Sequence, residues 1–355
     1  MNLAELDRSE MEAAFAERGV PAFHGRQIFH WIHARGVTHF SEMTDLSQPL
    51  RARLAESMTI ATPALEAKQT SADGTTKFLL GLEDGRHVEA VYIPDTPAQT
   101  FCISTQVGCA MGCAFCLTGK MGLVRNLSAG EIVGQVRVLA HETGLAGSPF
   151  NIVLMGMGEP LHNYDATMKA LRIMADETGL AVHPRRVTLS TVGLVPAIEK
   201  LAAEPQMPNL AISLHATTDE QRSRIVPINK KYSLRQLMDA CRRFPLAKRR
   251  RITFEYVLLN GVNDTPEDAR RLARLVSGLK AKVNLLPLNE APGIPFTRPS
   301  DERVNAFAKI LADRDITVSV RKSRGRDIRA ACGQLIVEGE RASAGQTLGR
   351  ALERP

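Results

Sequence analysis

Cys109, Cys113 and Cys116 stand with three and two residues between them in Cys109-Ala-Met-Gly-Cys113-Ala-Phe-Cys116, and no fourth cysteine lies close by. Thiolates at short spacing are soft ligands that suit zinc or an iron–sulfur cluster. A structural zinc site normally closes its tetrahedron with four protein ligands. Three thiolates on a four-iron cluster would leave one iron open to a substrate. The spacing therefore points to a reactive centre, with a zinc knuckle or three core thiols as the plainer alternatives.

Two further residues have chemical promise. Cys332 stands in Ala330-Ala331-Cys332-Gly333-Gln334-Leu335, after a basic stretch. Small neighbours allow access and nearby cations favour the thiolate, although a small buried thiol is the default for a lone cysteine. Glu89 lies in Val88-Glu89-Ala90-Val91-Tyr92-Ile93, where alternation puts it on the face of Val91 and Ile93. A carboxylate there is costly unless paired or useful, and desolvation would make it a better base than a surface glutamate. If the other face packs inward, Glu89 is merely solvated. Cys102 precedes the first of the three clustered cysteines by seven residues, and Cys241 reads as core.

Positioning these groups falls to a chain of alternating strands and helices. Residues 1–75 read as a helical accessory domain, 76–98 as a β-hairpin extension, 99–330 as the core and 331–355 as a tail carrying Cys332. Core strands are expected at 100–105, 151–156, 186–191, 209–214, 252–258 and 282–287. Helices follow at about 128–143, 164–178, 194–203, 233–244, 265–279 and 300–314, with a last strand at 316–320. Six β–α units argue for a parallel sheet, open or barrel-like. No G-x-G-x-x-G opens the first helix, which weighs against a dinucleotide fold. Chemistry in such a barrel collects at the C-terminal strand ends. There stand the cysteine loop, Gly156-Met157-Gly158-Glu159-Pro160, Ser190, Ser213-Leu214-His215 and Asn289. Each alone is an ordinary loop residue; their recurrence at one end of successive strands raises them. Glu159 could accept a hydrogen bond from an ammonium group.

The 355 residues are 44% hydrophobic, enough for a large core. They contain no apolar run of about 18 residues and no basic-then-apolar leader, so the expectation is a cytoplasmic protein without membrane contact. A reducing compartment also suits free thiolates. The net charge is +7. Basic groups gather at Lys230-Lys231, at Arg242-Arg243 with Lys248-Arg249-Arg250-Arg251, and at Arg321-Lys322-Ser323-Arg324-Gly325-Arg326. Together they could form one surface for a phosphate backbone.

The cysteine spacing matches the signature of radical S-adenosylmethionine (SAM) enzymes, and the chain as a whole resembles the RlmN family of RNA methyltransferases within them. The resemblance rests on the segments from Gln106 to Cys116, Arg125 to Leu127, Met155 to Pro160, Arg186 to Thr191, Ile212 to Ala216, Ile225 to Lys231 and Arg321 to Gly325, and on Ala331-Cys332-Gly333-Gln334-Leu335. It implies an α/β fold: a radical SAM partial (β/α)6 barrel with a small N-terminal helical domain and a hairpin extension. It also implies a [4Fe–4S] cluster on Cys109, Cys113 and Cys116, and SAM bound by Gly158, Glu159, Ser190, Ser213, Leu214, His215 and Asn289. Cys332 would carry a methyl group, Cys102 would resolve it through a transient disulfide, and Glu89 would take a proton. The implied reaction is methylation of adenosine C2 in the peptidyl-transferase region of 23S rRNA, and of adenosine 37 in certain tRNAs. A separate electron donor would reduce the cluster. The rivals are the sister C8-methylating Cfr type and a non-catalytic iron–sulfur RNA-binding module.

Overall fold

The computed structural model describes residues 1–94 and 98–337. The chain opens with three helices, α1 (Arg8–Ala16), α2 (Ala22–His33) and α3 (Gln48–Ser57). Asp7 caps α1 by accepting from the Glu10 amide while Glu10 returns the bond, which satisfies two orphan donors of the first turn. Met11, Phe15, Ile28, Phe29 and Ile32 are fully buried and join the main apolar core.

An antiparallel ribbon follows: β1 (Ala64–Thr70), β2 (Thr76–Gly81) and β3 (His87–Ile93). The strand β1 falls within the segment expected to be helical. It lies at the sheet edge, and all seven of its residues are exposed, so no apolar alternation marks it in the sequence. The hairpin of β2 and β3 appears where expected and turns at Gly85, whose φ of 76° suits glycine.

Next come β4 (Thr100–Cys102), β5 (Gln106–Cys109), α4 (Leu117–Met121), β6 (Gly122–Asn126), α5 (Ala129–Glu142), β7 (Asn151–Leu154), α6 (Tyr164–Ala175), β8 (Val187–Thr191), α7 (Val195–Leu201) and β9 (Asn209–Ser213). The rest is α8 (Asp219–Ile225), α9 (Leu234–Arg243), β10 (Ile252–Leu258), α10 (Pro266–Val276), β11 (Ala281–Pro287), α11 (Asp301–Ala312) and β12 (Val318–Val320). The large sheet runs β1-β2-β3-β4-β7-β8-β9-β10-β11-β12, parallel from β4 onward. It has two free ends, so the barrel is partial, as expected. Capping boxes start α5 at Ser128, α9 at Ser233 and α10 at Thr265.

Unforeseen in the sequence are α8 and the two-stranded ribbon β5–β6, which brackets the cysteine loop. Gly108 lets that ribbon close: its φ is 76°, and a Cβ there would stand 1.9 Å from the Gly122 carbonyl oxygen. No helix among the described residues is long and apolar enough to cross a membrane.

Candidate active site

Parallel strands deliver their loops to one end, and two adjoining cavities lie there. The larger, about 160 Å³, is lined by Cys113 and Cys116, Gly158 and Glu159, Ser190, Ser213, His215 and Asn289. Most of the residues singled out in the sequence therefore meet around one space. Leu214 does not: its side chain is fully buried in the core behind the wall, and its carbonyl accepts from Arg222 Nε at 3.0 Å. Cys109 is buried in the same apolar cluster as Cys113, with Cys116 packed against it.

Glu159 is 3% exposed. Its oxygens accept from the Leu161 and Val192 amides at 3.0 and 2.9 Å. Burial outweighs these bonds and lifts its pKa to about 7. His215 turns through a left-handed φ of 60°. Its Nδ1 accepts from the Val257 amide at 3.0 Å, and burial drives its pKa down to about 3. The ring is therefore neutral, with the proton on Nε2. Phe115 meets it edge-on at 4.9 Å. Ser190 and Ser213 hydroxyls lie 3.3 Å apart.

The cavity holds features that sequence reading missed. Glu255, in the middle of β10, is 4% exposed and points one oxygen at Asn284 Nδ2, 2.9 Å away. Its other oxygen and the Asn289 Oδ1 are buried without a partner. Buried polar atoms are normally satisfied, so two orphans on one wall mark a polar ligand's place. The only hint in sequence was a lone carboxylate in Ile252-Thr253-Phe254-Glu255-Tyr256-Val257. Arg222, fully buried, donates to the carbonyls of Leu214, Val192 and Ser213 and to Asn229 Oδ1. It ties together the C-terminal ends of β8 and β9.

The three clustered thiols are free, and burial raises the pKa of each. They are close enough to feel one another's charge, yet no three metal-ligating side chains among the described residues converge on one ion position. Three thiolates leave a zinc tetrahedron one ligand short, whereas a four-iron cluster takes one thiolate per iron and can leave the fourth iron open. The donor set, facing a cavity with orphaned acceptors, fits a cluster with SAM beside it.

The smaller cavity, about 30 Å³, is lined by Cys102, Cys332, Arg321, Ser323 and Arg324, among others. Cys332 borders both cavities. Burial pushes the Cys102 thiol up to about 12, and the nearby Cys332 adds to this while Arg321 opposes it. Cys332 sits on a strap that the Leu117 amide and Thr118 hydroxyl hold through the carbonyls of Gly333 and Leu335, at 2.8 and 2.6 Å. Asn289 Nδ2 donates to the Cys332 carbonyl at 3.4 Å.

Glu89 is buried, as the alternation argued, but lines neither cavity. Lys77 Nζ lies 2.8 Å from one oxygen. The Ile336 amide donates to the other at 2.9 Å. The basic groups do not form one surface. Arg321 and Arg324 border the smaller cavity, whereas Arg242 and Arg243 end α9 and Lys248 to Arg251 lie between it and β10, at the opposite end of the sheet.

Residues 103–275 match the Radical SAM superfamily, and residues 1–60 match the ribosomal RNA large subunit methyltransferase N-terminal domain. A protein of Geobacter sulfurreducens named dual-specificity RNA methyltransferase RlmN is 51% identical over 335 residues, 94% of this chain and 92% of that one. One of the same name from Anaeromyxobacter dehalogenans is 50% identical over 344 residues, 95% of this chain and 92% of that one. The chain belongs to the RlmN family. A crystal structure of a radical SAM methyltransferase from Sphaerobacter thermophilus superposes with a TM-score of 0.90 at 49% identity, covering 94% of this chain and 99% of that one. Membership makes the protein a SAM-dependent radical RNA methyltransferase, and the binding-module rival falls away. It also favours RlmN over the Cfr type.

Proposed function

We propose that this chain methylates C2 of an adenosine in the peptidyl-transferase region of 23S rRNA, and C2 of adenosine 37 in certain tRNAs, with Cys332 as the methyl carrier. One observation carries the reading: the Cys332 sulfur belongs to a residue that borders both the cavity fit for SAM and the cavity of Cys102. A carrier needs both neighbours in turn.

Adenine C2 is electron-poor and its hydrogen is not acidic, so direct displacement from SAM has no carbon nucleophile to use. Cys109, Cys113 and Cys116 would hold the [4Fe–4S] cluster, and Gly158, Glu159, Ser190, Ser213, His215 and Asn289 would hold SAM, with Leu214 contributing backbone only. When bound, cluster and SAM supply a radical able to take hydrogen from an S-methyl group. Cys332 first receives a methyl group and later joins its methylene to C2, a covalent detour that splits one hard step into easier ones. Glu89 accepts the C2 proton as the adduct gives up its unpaired electron to the cluster, so the ring regains aromaticity. Lys77 Nζ, 2.8 Å away, supplies the counter-charge that a buried carboxylate needs. Cys102 then attacks the Cys332 sulfur and gives up its thiol proton. An S–S bond forms, the S–C bond breaks, and the departing carbon takes up a proton as methyl.

In this reading residues 1–75 hold the RNA and 331–355 carry the Cys332 strap, of which 331–337 are described. A separate donor feeds electrons to the cluster. The test is anaerobic: reconstituted protein, SAM, reductant and deproteinised 23S rRNA, digested to nucleosides. The expected product is 2-methyladenosine. An 8-methyl product would move the chain to the Cfr chemistry with the same residues.

A further inference from the structure

We propose that the N-terminal rim of the parallel sheet, opposite the two cavities, is a second docking surface for RNA and takes the phosphate backbone of an outlying helix of the substrate. The inference rests on the RNA methyltransferase reading.

Six exposed cations stand on that rim: Arg185 and Arg186 before β8, Lys248, Arg249 and Arg251 before β10, and Lys280 before β11. None forms an ion pair among the described residues. The loops that bear them are stitched into one surface. Asn209 Nδ2 donates to the Arg185 carbonyl at 2.7 Å. Arg250 donates to the Met207 and Pro208 carbonyls at 2.5 and 3.1 Å. The Ile252 amide donates to the Lys280 carbonyl at 3.0 Å. Nearby carboxylates are engaged elsewhere, Glu199 with Arg243 and Asp313 with Lys309. Glu177 and Asp315 stand in the loops at the two ends of the row, and Glu204, in the loop before β9, accepts from the Tyr164 hydroxyl at 2.9 Å, so six cations face one central carboxylate. An isolated charge run is usually a solvated face. Six unneutralised cations on one rim raise the local potential, which costs stability unless a polyanion answers it.

The N-terminal domain supplies a path between the two ends. Beside the cysteine-loop end, the Glu5 carboxylate accepts from the Gly130 amide at 2.8 Å, at the start of α5. Near the opposite end, Arg8 pairs with Asp176 at 2.8 Å, and His30 Nδ1 lies 2.9 Å from the Thr178 carbonyl, just beyond α6. This domain therefore runs the height of the barrel and abuts the loop that leads to Arg185. An RNA that enters the cavities and tracks along the domain arrives at the cationic rim.

The test uses the full-length protein carrying Arg185→Gln, Lys248→Gln, Arg249→Asn and Lys280→Gln. Asparagine suits position 249, where φ is 67°. Arg250 is left alone because it holds carbonyls. Binding is measured across a salt series on intact 23S rRNA and on a short hairpin bearing the target adenosine. Each lost phosphate contact removes about 0.7–0.9 from the log–log salt slope. The expectation is a slope smaller by roughly 2–3 and affinity for intact RNA lower by roughly ten- to a hundredfold at physiological salt. Hairpin binding and methylation stay at wild-type levels, which also shows the variant folded. An unchanged slope on intact RNA overturns the proposal. So does equal loss on the hairpin, or turnover lost only with a protein electron donor and kept with a chemical reductant, which would give the rim to that donor. Wild-type methylation of the hairpin tests the enzymatic reading separately.

Discussion

Glu89 and Glu159 are both buried carboxylates, one beside the thiol cleft and one in the wall of the larger cavity, and they are held in opposite ways. Glu89 has an ammonium built in, Lys77 Nζ at 2.8 Å. Glu159 has backbone amides and the Thr191 hydroxyl but no cation among the described residues, and burial lifts it to about 7. A carboxylate with its cation supplied can stay charged and wait for a proton. One without a cation gains most when a ligand brings one. The cleft side is thus equipped for proton transfer and the cavity side for capturing a cationic group, which matches an amino acid cosubstrate on one side and a base to be deprotonated on the other.

The sharpest way to separate the two regions is to remove one thiol at a time. Cys332→Ala should abolish RNA methylation, while SAM binding, read by equilibrium dialysis, persists. Cys102→Ala should instead stall after joining, so that a protein–RNA adduct survives a denaturing gel. If neither variant gives an adduct and both still methylate, the division of labour is wrong. Next in size, Arg222→Leu leaves carbonyls of Leu214, Val192 and Ser213 without their donor. Unpaired buried groups cost about 1–3 kcal/mol each, so chemical denaturation should show a loss of roughly 3 kcal/mol or more. Stability within 1 kcal/mol of wild type would mean the strand ends hold without it.

Lys77→Met probes the other side. Adduct resolution should slow by roughly ten- to a hundredfold, the worth of about 1.4–2.8 kcal/mol for a charge-assisted partner, with Lys77→Arg restoring much of it. A methionine variant that resolves adduct at the normal rate would detach Lys77 from the chemistry. The smallest effect is a pH slope. Glu159 has a folded pKa above its unfolded value, so the unfolded chain ionises first as pH rises from 4.5 to about 7. Cluster-free, SAM-free protein should lose stability across that window, by at most about 1.4 kcal/mol per pH unit, and then level off. Glu159→Gln should remove that part of the slope; identical melting curves for both proteins would contradict it.

Most strand positions and the shared end of Ser190, His215 and Asn289 were legible because regular alternation of strands and helices determines where loops emerge. The cysteine spacing was legible because its ligands are local. Lys77 was not: its meeting with Glu89 depends on the β2–β3 register, in which Leu79 faces Glu89, and on a diagonal reach across it. Glu255 looks like one carboxylate in a strand, and only the fold brings its unpartnered oxygen to the same cavity as that of Asn289. Arg222 hid in a helix absent from the periodic pattern. The basic clusters misled because sequence carries charge but not which end of a strand a loop caps, and α9 takes Arg242 to Arg251 away from the cavities.

The strap that carries Cys332 closes on α4 across a sequence separation of 217 residues, from Thr118 to Leu335. Chains are made from the N-terminus, and early parts fold before late ones emerge. The cysteine loop and most of the strands are therefore complete while the strap is still being synthesised. During that interval the segment of Cys332 and Gly333 that borders the larger cavity is not yet in place, and the wall of Cys113 and Cys116 is open from that side. Synthesis order thus separates the two halves of the site: the wall of clustered cysteines is made first, and the Cys332 segment arrives last.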